Sequence, residues 1–268
     1  MAFSTVGDDG NVCYEPYQLN SSISMAANLR EALQTAPLLE KTYGSILVMV
    51  DSPVMMVPVD LFHEDQQQEL YRHAFTGQEQ QVVVNAVLPD LHCVALFSVG
   101  RDFRTVVVDR WPQARFMPDI TPVWHHLHQR SYTGPRAKLY AYFHDKHMEV
   151  FSYGQHRFKF CNSFAFNQTD DALFYLLSVW KQLSMAADRD ELYLTGEIPA
   201  GDDGLQQKAQ QYVKRVYVIN PVGEFNRAAV TQSHGMPYDL INLNTSLLTG
   251  MASRKPSGDS LARHCLIN

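Results

Sequence analysis

The chain has 268 residues, 46% of them hydrophobic and 19% charged, which is enough apolar material for one large domain or two modest ones. Its 22 Lys and Arg against 28 Asp and Glu give a formal net charge of −6, and no Lys/Arg run stands out, so a general nucleic-acid binder is not expected. The longest apolar run, Ile46 to Val50, is strand-sized, far below the roughly 20 residues of a membrane-crossing helix, and Met1-Ala2-Phe3-Ser4 lacks the basic region of a secretory signal. A cytoplasmic protein is the expectation.

In chain order, Phe3 to Leu19 holds one or two strands broken by Gly7-Asp8-Asp9-Gly10. Ser21 or Ser22 then caps a helix carrying Ile23, Ala26, Ala27, Leu29 and Leu33. Ile46 to Val50 is a strand. A turn at Asp51-Ser52-Pro53 leads to a second strand, Val54 to Val57, and a Gln-rich helix runs from Glu64 to about Ala74. Val82 to Leu88 and Cys93 to Val99 form an antiparallel pair around Pro89-Asp90. Thr121-Pro122 starts a helix over Val123 to Gln129, with Thr as cap and Pro in the first turn.

A turn-rich stretch, Ser131-Tyr132-Thr133-Gly134-Pro135, separates this half from a cleaner one. There Leu139 to Phe143 and Met148 to Tyr153 make a hairpin around Asp145-Lys146, and Phe158 to Phe166 adds a third strand with the two-residue period of a sheet covered on one face. A helix from Asp170 puts Leu173, Leu176, Leu177, Trp180 and Leu183 on one stripe, capped by Asn167 or Thr169. The strand Tyr193 to Gly196, a helix marked by Leu205, Ala209, Tyr212 and Val213, and the strand Val216 to Ile219 follow. Lobes over 1–132 and 133–250, and a loose tail over 251–268, are the expected domains.

That element order is how a ribonuclease H-like or actin-like half-domain is built. Ser45 to Asp60, together with the strand that ends at Phe97-Ser98-Val99-Gly100-Arg101-Asp102 and opens a helix, is similar to a subdomain of actin-like proteins of pilus assembly and type II secretion. With Phe225-Asn226 and Met236-Pro237-Tyr238-Asp239-Leu240 near its end, the chain resembles an uncharacterised, mostly Bacteroidetes family with an actin-like ATPase fold. The resemblance covers about residues 3–245. It implies an α/β fold of two related actin-like (ribonuclease H-like) lobes, with mixed sheets flanked by helices and a cleft between them. It implies no single function, because this fold hosts kinases, chaperones, filament proteins and inert scaffolds.

Active members of the superfamily resemble one another at two phosphate hairpins rich in Asp and Gly and at one adenosine loop. The hairpins need glycines so that backbone N–H groups reach the phosphates, and an acid to organise Mg²⁺. The matching turn here, His144-Asp145-Lys146-His147, has the acid and no glycine, and Gly7-Asp8-Asp9-Gly10 comes unusually early for the other. Leu194-Thr195-Gly196-Glu197 resembles the adenosine loop, with Glu197 in place of a second glycine. Thr195 and Gly196 are thus a base platform or a plain tight turn, the turn being favoured, with Asp145 as the Mg²⁺ partner if nucleotide binds.

Other chemistries find less support. A ribonuclease H-type nuclease needs an acid in the first strand of the sheet, and Lys138 to Phe143 has none; capping accounts for Asp170, Asp171 and Asp190. His125 and His128 have metal-sharing i, i+3 spacing but lack a completing Cys or acid, so solvent-facing or partly buried histidines on an amphipathic surface helix are expected; the same objection meets His144 and His147. There is no GxSxG elbow, and Phe158, Phe160, Phe164 and Phe166 read as core before stacking platform. The four cysteines, Cys13, Cys93, Cys161 and Cys265, have no CxxC spacing, and Cys265-Leu266-Ile267-Asn268 matches a prenylation box by coincidence. A non-catalytic cytoplasmic scaffold with an unknown protein partner, no cofactor and room for a homodimer is the leading expectation. A nucleotide binder or weak ATPase using ATP and Mg²⁺ is the alternative, and a small-molecule kinase comes third.

Overall fold

The computed structural model describes residues 1–7, 11–77, 80–155, 157–199, 204–225, 230, 235–252 and 264–267. Its contacts divide into two compact units, one made of 1–89, 93–123 and 229–268, the other of 90–92 and 124–228. This division differs from the expected break after 132. The cut falls at residue 123, and the last stretch of chain returns to the first unit instead of closing the second or trailing from it.

The first unit contains a five-stranded sheet in the order β2 (Val12–Pro16), β1 (Ala2–Val6), β13 (His264–Ile267), β3 (Ser45–Val50), β7 (Arg115–Pro118). In the expected tail, 253–263 lie outside the described residues, but 264–267 form a strand antiparallel to β1 and parallel to β3. Helices α1 (Met25–Thr35) and α3 (Arg101–Arg110) cover one face, burying Leu29, Ala32, Val106 and Val107 against Phe3, Ile46 and Val48. The cap of α1 is Ser24, not Ser21 or Ser22; its hydroxyl accepts from the Ala27 N–H at 3.2 Å. Just upstream, Asn28 closes the preceding turn by accepting from the Asn20 N–H at 2.8 Å and donating to the Asn20 carbonyl at 3.1 Å. Helix α8 (Tyr238–Ala252) meets β1, where the Ser4 hydroxyl donates to Asn244 Oδ1 at 3.2 Å.

A three-stranded sheet, β4 (Met55–Pro58), β6 (Cys93–Gly100), β5 (Gln81–Leu88), carries helix α2 (Gln67–Ala74). Tyr71 of α2 is fully buried with Val57, Val83, Val94 and Leu96, and its hydroxyl donates to the Pro53 carbonyl at 2.7 Å. The Ser45-to-Asp60 stretch and the Val82-to-Val99 pair thus have the strand–turn–strand and hairpin forms their patterns predict.

The second unit is one five-stranded sheet in the order β10 (Arg157–Ala165), β9 (His147–Gly154), β8 (Lys138–His144), β11 (Glu191–Gly196), β12 (Val216–Val218). The first three strands are antiparallel, and β8, β11 and β12 run parallel. Helices α5 (Thr169–Gln182) and α6 (Leu205–Gln210) lie on one face, where Ala172, Leu176, Val179, Trp180, Leu205 and Ala209 pack on Leu139, Ala141, Phe143, Leu192 and Leu194. The start of α5 is held by Asp171, whose Oδ2 accepts from the Asn167 and Gln168 N–H groups at 3.1 and 3.0 Å. The other face is met by α4 (Thr121–Ser131): Trp124 sets its edge on Phe158 at 5.4 Å, and the Tyr153 hydroxyl donates to the Trp124 carbonyl at 2.8 Å. Helix α4 is therefore more deeply seated than a surface helix: Val123, Trp124 and Leu127 have no exposed surface and His128 is 5% exposed. Among the described residues no helix is long and apolar enough to cross a membrane.

Candidate functional site

Strands β8 and β11 are parallel neighbours, so their carboxyl ends open at the same end of the second unit's sheet. In open α/β sheets this is where ligands bind. The structure places Asp145 just past β8 and Thr195 and Gly196 at the end of β11, with Thr195 opposite Tyr142 and Gly196 opposite Phe143. The three residues singled out from sequence therefore share one end of one sheet.

The β8–β9 turn is made of Asp145 at φ 41° and Lys146 at φ 62°. Two successive left-handed residues make the type I′ turn whose twist matches a hairpin, a geometry that ordinarily recruits Asn-Gly. Here side-chain-bearing residues adopt it. The turn's carbonyls are engaged by the chain itself: Lys146 accepts from the Phe166 N–H at 3.0 Å, and the Asp145 carbonyl lies 3.1 Å from His147 Nδ1. The Asp145 side chain is exposed.

The β11 end is built differently. Gly196 has φ +84°, and a Cβ placed on it would sit 2.2 Å from the Phe143 carbonyl oxygen and 2.8 and 2.9 Å from two carbons of the Tyr142 ring. The same Phe143 oxygen accepts from the Glu197 N–H at 2.8 Å, and the Ile198 N–H returns to the Gly196 carbonyl at 3.0 Å. Thr195 is completely buried, and its hydroxyl has no hydrogen-bond partner among the described residues. Tyr142 is 4% exposed and stacks on His144, with centroids 5.1 Å apart and planes at 21°. The side of Gly196 where a side chain would project is thus filled by an aromatic ring and a main-chain oxygen.

Tyr142 and His144 were not among the residues singled out as site residues. The signal available for them is the alternation in β8: Leu139, Ala141 and Phe143 face the helices, which leaves Tyr140, Tyr142 and His144 on the opposite side. On that side an aromatic row crosses the sheet, Tyr217 to Tyr193 at 5.2 Å, Tyr193 to Tyr140 at 5.4 Å and Tyr140 to Phe151 at 5.6 Å. The Tyr140 hydroxyl is buried with no partner among the described residues, and burial pushes its pKa up.

Charged groups gather beside the row. The Arg130 guanidinium lies over the Tyr193 ring at 5.4 Å and pairs with Glu224 of α7 (Pro221–Glu224), which also meets His126 Nε2 at 3.0 Å. The hydrogen bond from His126, opposed by desolvation and reinforced by Arg130, holds the Glu224 carboxyl down at about 2. The histidines of α4 are therefore spent on structure. His126 serves Glu224, His128 meets the Tyr132 hydroxyl, and His125 lies 3.7 Å from Asp90. The acids weighed for nuclease chemistry are spent likewise: Asp170 pairs with Lys208 at 2.6 Å, and buried Asp190 accepts from the Ala186 N–H at 2.7 Å. Of the first-half candidate Gly7-Asp8-Asp9-Gly10, residues 8–10 lie outside the described residues.

Comparison with known proteins follows the same lines. A family model described as a protein of unknown function, DUF3822, matches residues 2–216. A crystal structure from Bacteroides thetaiotaomicron, described as a protein with actin-like ATPase fold and unknown function, is 26% identical, covers 91% of each chain and superposes with a TM-score of 0.78. A PilM–PilN type IV pilus biogenesis complex matches at 13% identity and TM-score 0.44, covering 91% of each chain. The cytoplasmic domain of EpsL from the Vibrio cholerae type II secretion system matches at 10% and 0.39, covering 93% of this chain and 87% of that one. No functionally curated protein matches. The fold is thus the actin-like ATPase fold, as the element order implied.

Proposed function

We propose, for a chain that belongs to the DUF3822 family of proteins of unknown function, a non-catalytic scaffold or adaptor role in which an actin-like ATPase fold has closed its own nucleotide loop. One observation carries this reading. The backbone of Gly196, which in the nucleotide-binding reading would support a base, is packed against the Tyr142 ring and the Phe143 carbonyl at distances that leave no room for a methyl group. The β8–β9 turn supports it, since its two carbonyls are occupied internally and its left-handed positions carry Asp and Lys side chains. Such a protein works by presenting surfaces to a protein partner, with the cytoplasm as its expected location.

A second reading keeps the site alive, and the buried Thr195 hydroxyl, without a partner among the described residues, favours it. In that reading Thr195 and Gly196 hold a base and Asp145 organises Mg²⁺. A ligand bound only to the folded state raises stability by RT ln(1 + [L]/Kd), so thermal unfolding of the full chain with Mg-ATP, with Mg-GTP and without nucleotide separates the two. The scaffold reading expects no change in Tm at millimolar nucleotide. A rise of several degrees with either nucleotide overturns it in favour of the second reading.

A further inference from the structure

Helix α7 is a single turn, with the Asn220 side chain accepting from the Val222 N–H at its start. One turn is far too short to persist as a helix on its own hydrogen bonds. Packing adds little, since none of its residues is buried and Val222 and Gly223 are exposed. Its polar hold on the second unit comes from its last residue. Glu224 accepts from the Arg130 guanidinium and from His126 Nε2 at 3.0 Å, and its side chain is 15% exposed. Phe225, next along the chain, lays its ring 4.9 Å from the ring of the same His126. Both holds fall on α4.

The groups that grip Glu224 are fixed without it. Helix α4 is seated on the sheet by Trp124, and its last turn is pinned by Lys138, whose ammonium donates to the Arg130 carbonyl at 3.1 Å and to the Thr133 hydroxyl at 2.8 Å. The Arg130 guanidinium lies on the Tyr193 ring, and the Tyr193 hydroxyl donates to Glu191 at 2.9 Å. Glu191 itself pairs with Arg136 at 3.0 Å, so Glu224 is the carboxylate that answers Arg130 among the described residues. A planar guanidinium on an aromatic face, beside a histidine, is a ready-made seat for a carboxylate. The aromatic floor continues outward to Tyr217, 5.2 Å from Tyr193 and 41% exposed, and to Val218, also exposed. The seat is thus held from several sides and edged by apolar surface, while the segment that fills it is a lone turn.

We propose that Arg130, His126 and the Tyr193 ring form a recognition site for an acidic side chain of a partner protein, and that Glu224 fills it in cis, making α7 a strap over the site. The partner segment carries a carboxylate next to an apolar side chain, the first for Arg130 and His126, the second for Tyr217 and Val218. Charge selects it, because an uncharged or basic segment leaves Arg130 unmatched once Glu224 withdraws. Docking exchanges one carboxylate for another in the seat, and the apolar contact on Tyr217 supplies the gain. A site that the chain itself occupies binds an outside ligand more weakly, in proportion to the fraction of time it stands open. The inference names a partner chemistry for a surface other than the nucleotide loop, and it stands whichever reading of that loop holds.

Fluorescence anisotropy on the full chain tests it, with a labelled, capped peptide of alternating Glu and Val and the same peptide with Gln for Glu as control. Glu224→Ala opens the strap and is expected to bind the Glu peptide at least about tenfold more tightly than wild type, the factor for a strap closed about nine-tenths of the time. Adding Arg130→Met is expected to abolish that gain, and the Gln peptide to show none. In hydrogen–deuterium exchange the amides of 222–225 are expected to speed up in Glu224→Ala, while those of 138–144 keep their wild-type rates. No gain in Glu224→Ala, an equal gain with the Gln peptide, or a gain that survives Arg130→Met overturns the proposal. So does inorganic phosphate binding as tightly as the peptide, which makes the seat a general anion site. Unchanged exchange at 222–225 overturns it too, because Glu224 then does not fasten α7. A Glu224→Ala chain that self-associates and ignores the peptide overturns the assignment to a partner protein. If Glu224→Ala fails to fold, Glu224→Gln, which keeps the size and removes the charge, is read in the same way.

Discussion

The two turns at the end of the second unit's sheet adopt the same left-handed backbone for different reasons. At Asp145-Lys146 the turn requires positive φ and the residues are not glycine; side chains are tolerated there because they project from an exposed corner. At Gly196 the backbone is also left-handed, but the decisive constraint is a neighbour. The Phe143 carbonyl oxygen stands 2.2 Å from where a Cβ would be. One turn bears a local torsional cost on its own, and the other is welded to the adjacent strand. A glycine in a loop that resembles a nucleotide site is therefore explained here by packing within the protein.

The comparison breaks most sharply at Gly196. Gly196→Ala combines a disfavoured φ with an overlap that only backbone movement relieves, so a loss of about 3 kcal/mol or more is expected in urea unfolding. A loss under about 1 kcal/mol, the range of ordinary surface changes, would mean the neighbouring strand yields easily. Next in size is Tyr142→Ala, which empties a buried aromatic position and should cost about 3 kcal/mol. Combining the two sharpens the point. Removing the ring leaves the closer Phe143 oxygen in place, so the double variant should recover little of the Gly196→Ala loss. A recovery beyond about 1 kcal/mol would make the ring the real obstacle. The smallest effect has the opposite sign: Lys146→Gly relieves a left-handed non-glycine residue in open space and should stabilise by about 0.5–1 kcal/mol. Destabilisation there would show that the Lys146 side chain does more than occupy the turn.

Much of this was legible in the sequence because much of it is local. The order β8, β9, β10, α5, β11, α6, β12 comes from one uninterrupted stretch whose two-residue and helical periods show where each element lies. The positive φ at Gly196 could be read from a Gly following a strand. What fills the space beside it could not, since Tyr142 and Phe143 reach it only through β8–β11 pairing. The same limit hid β13, whose partners β1 and β3 belong to the other end of the chain, and so misplaced the domain boundaries. The α4 histidines read as solvent-facing or partly buried because Glu224, which pairs with His126, comes from a distant part of the chain and becomes a neighbour only in the fold, and Ser24 lost to Ser21 and Ser22 because caps in a serine-rich lead-in differ by geometry alone.

The position of β13 has a consequence for how the chain is made. Strands β1 and β3 do not touch in the finished sheet; residues 264–267 lie between them. As the polypeptide leaves the ribosome, the second unit's strands, all within 138–218, are complete while the first unit's sheet is still two fragments with an open slot. Synthesis order and assembly order are thus reversed: the unit that begins first finishes last, by threading a late strand between two early ones, the kind of non-local closure that folds slowly. Until that strand arrives, the edges of β1 and β3 that it joins lack their partner in the sheet.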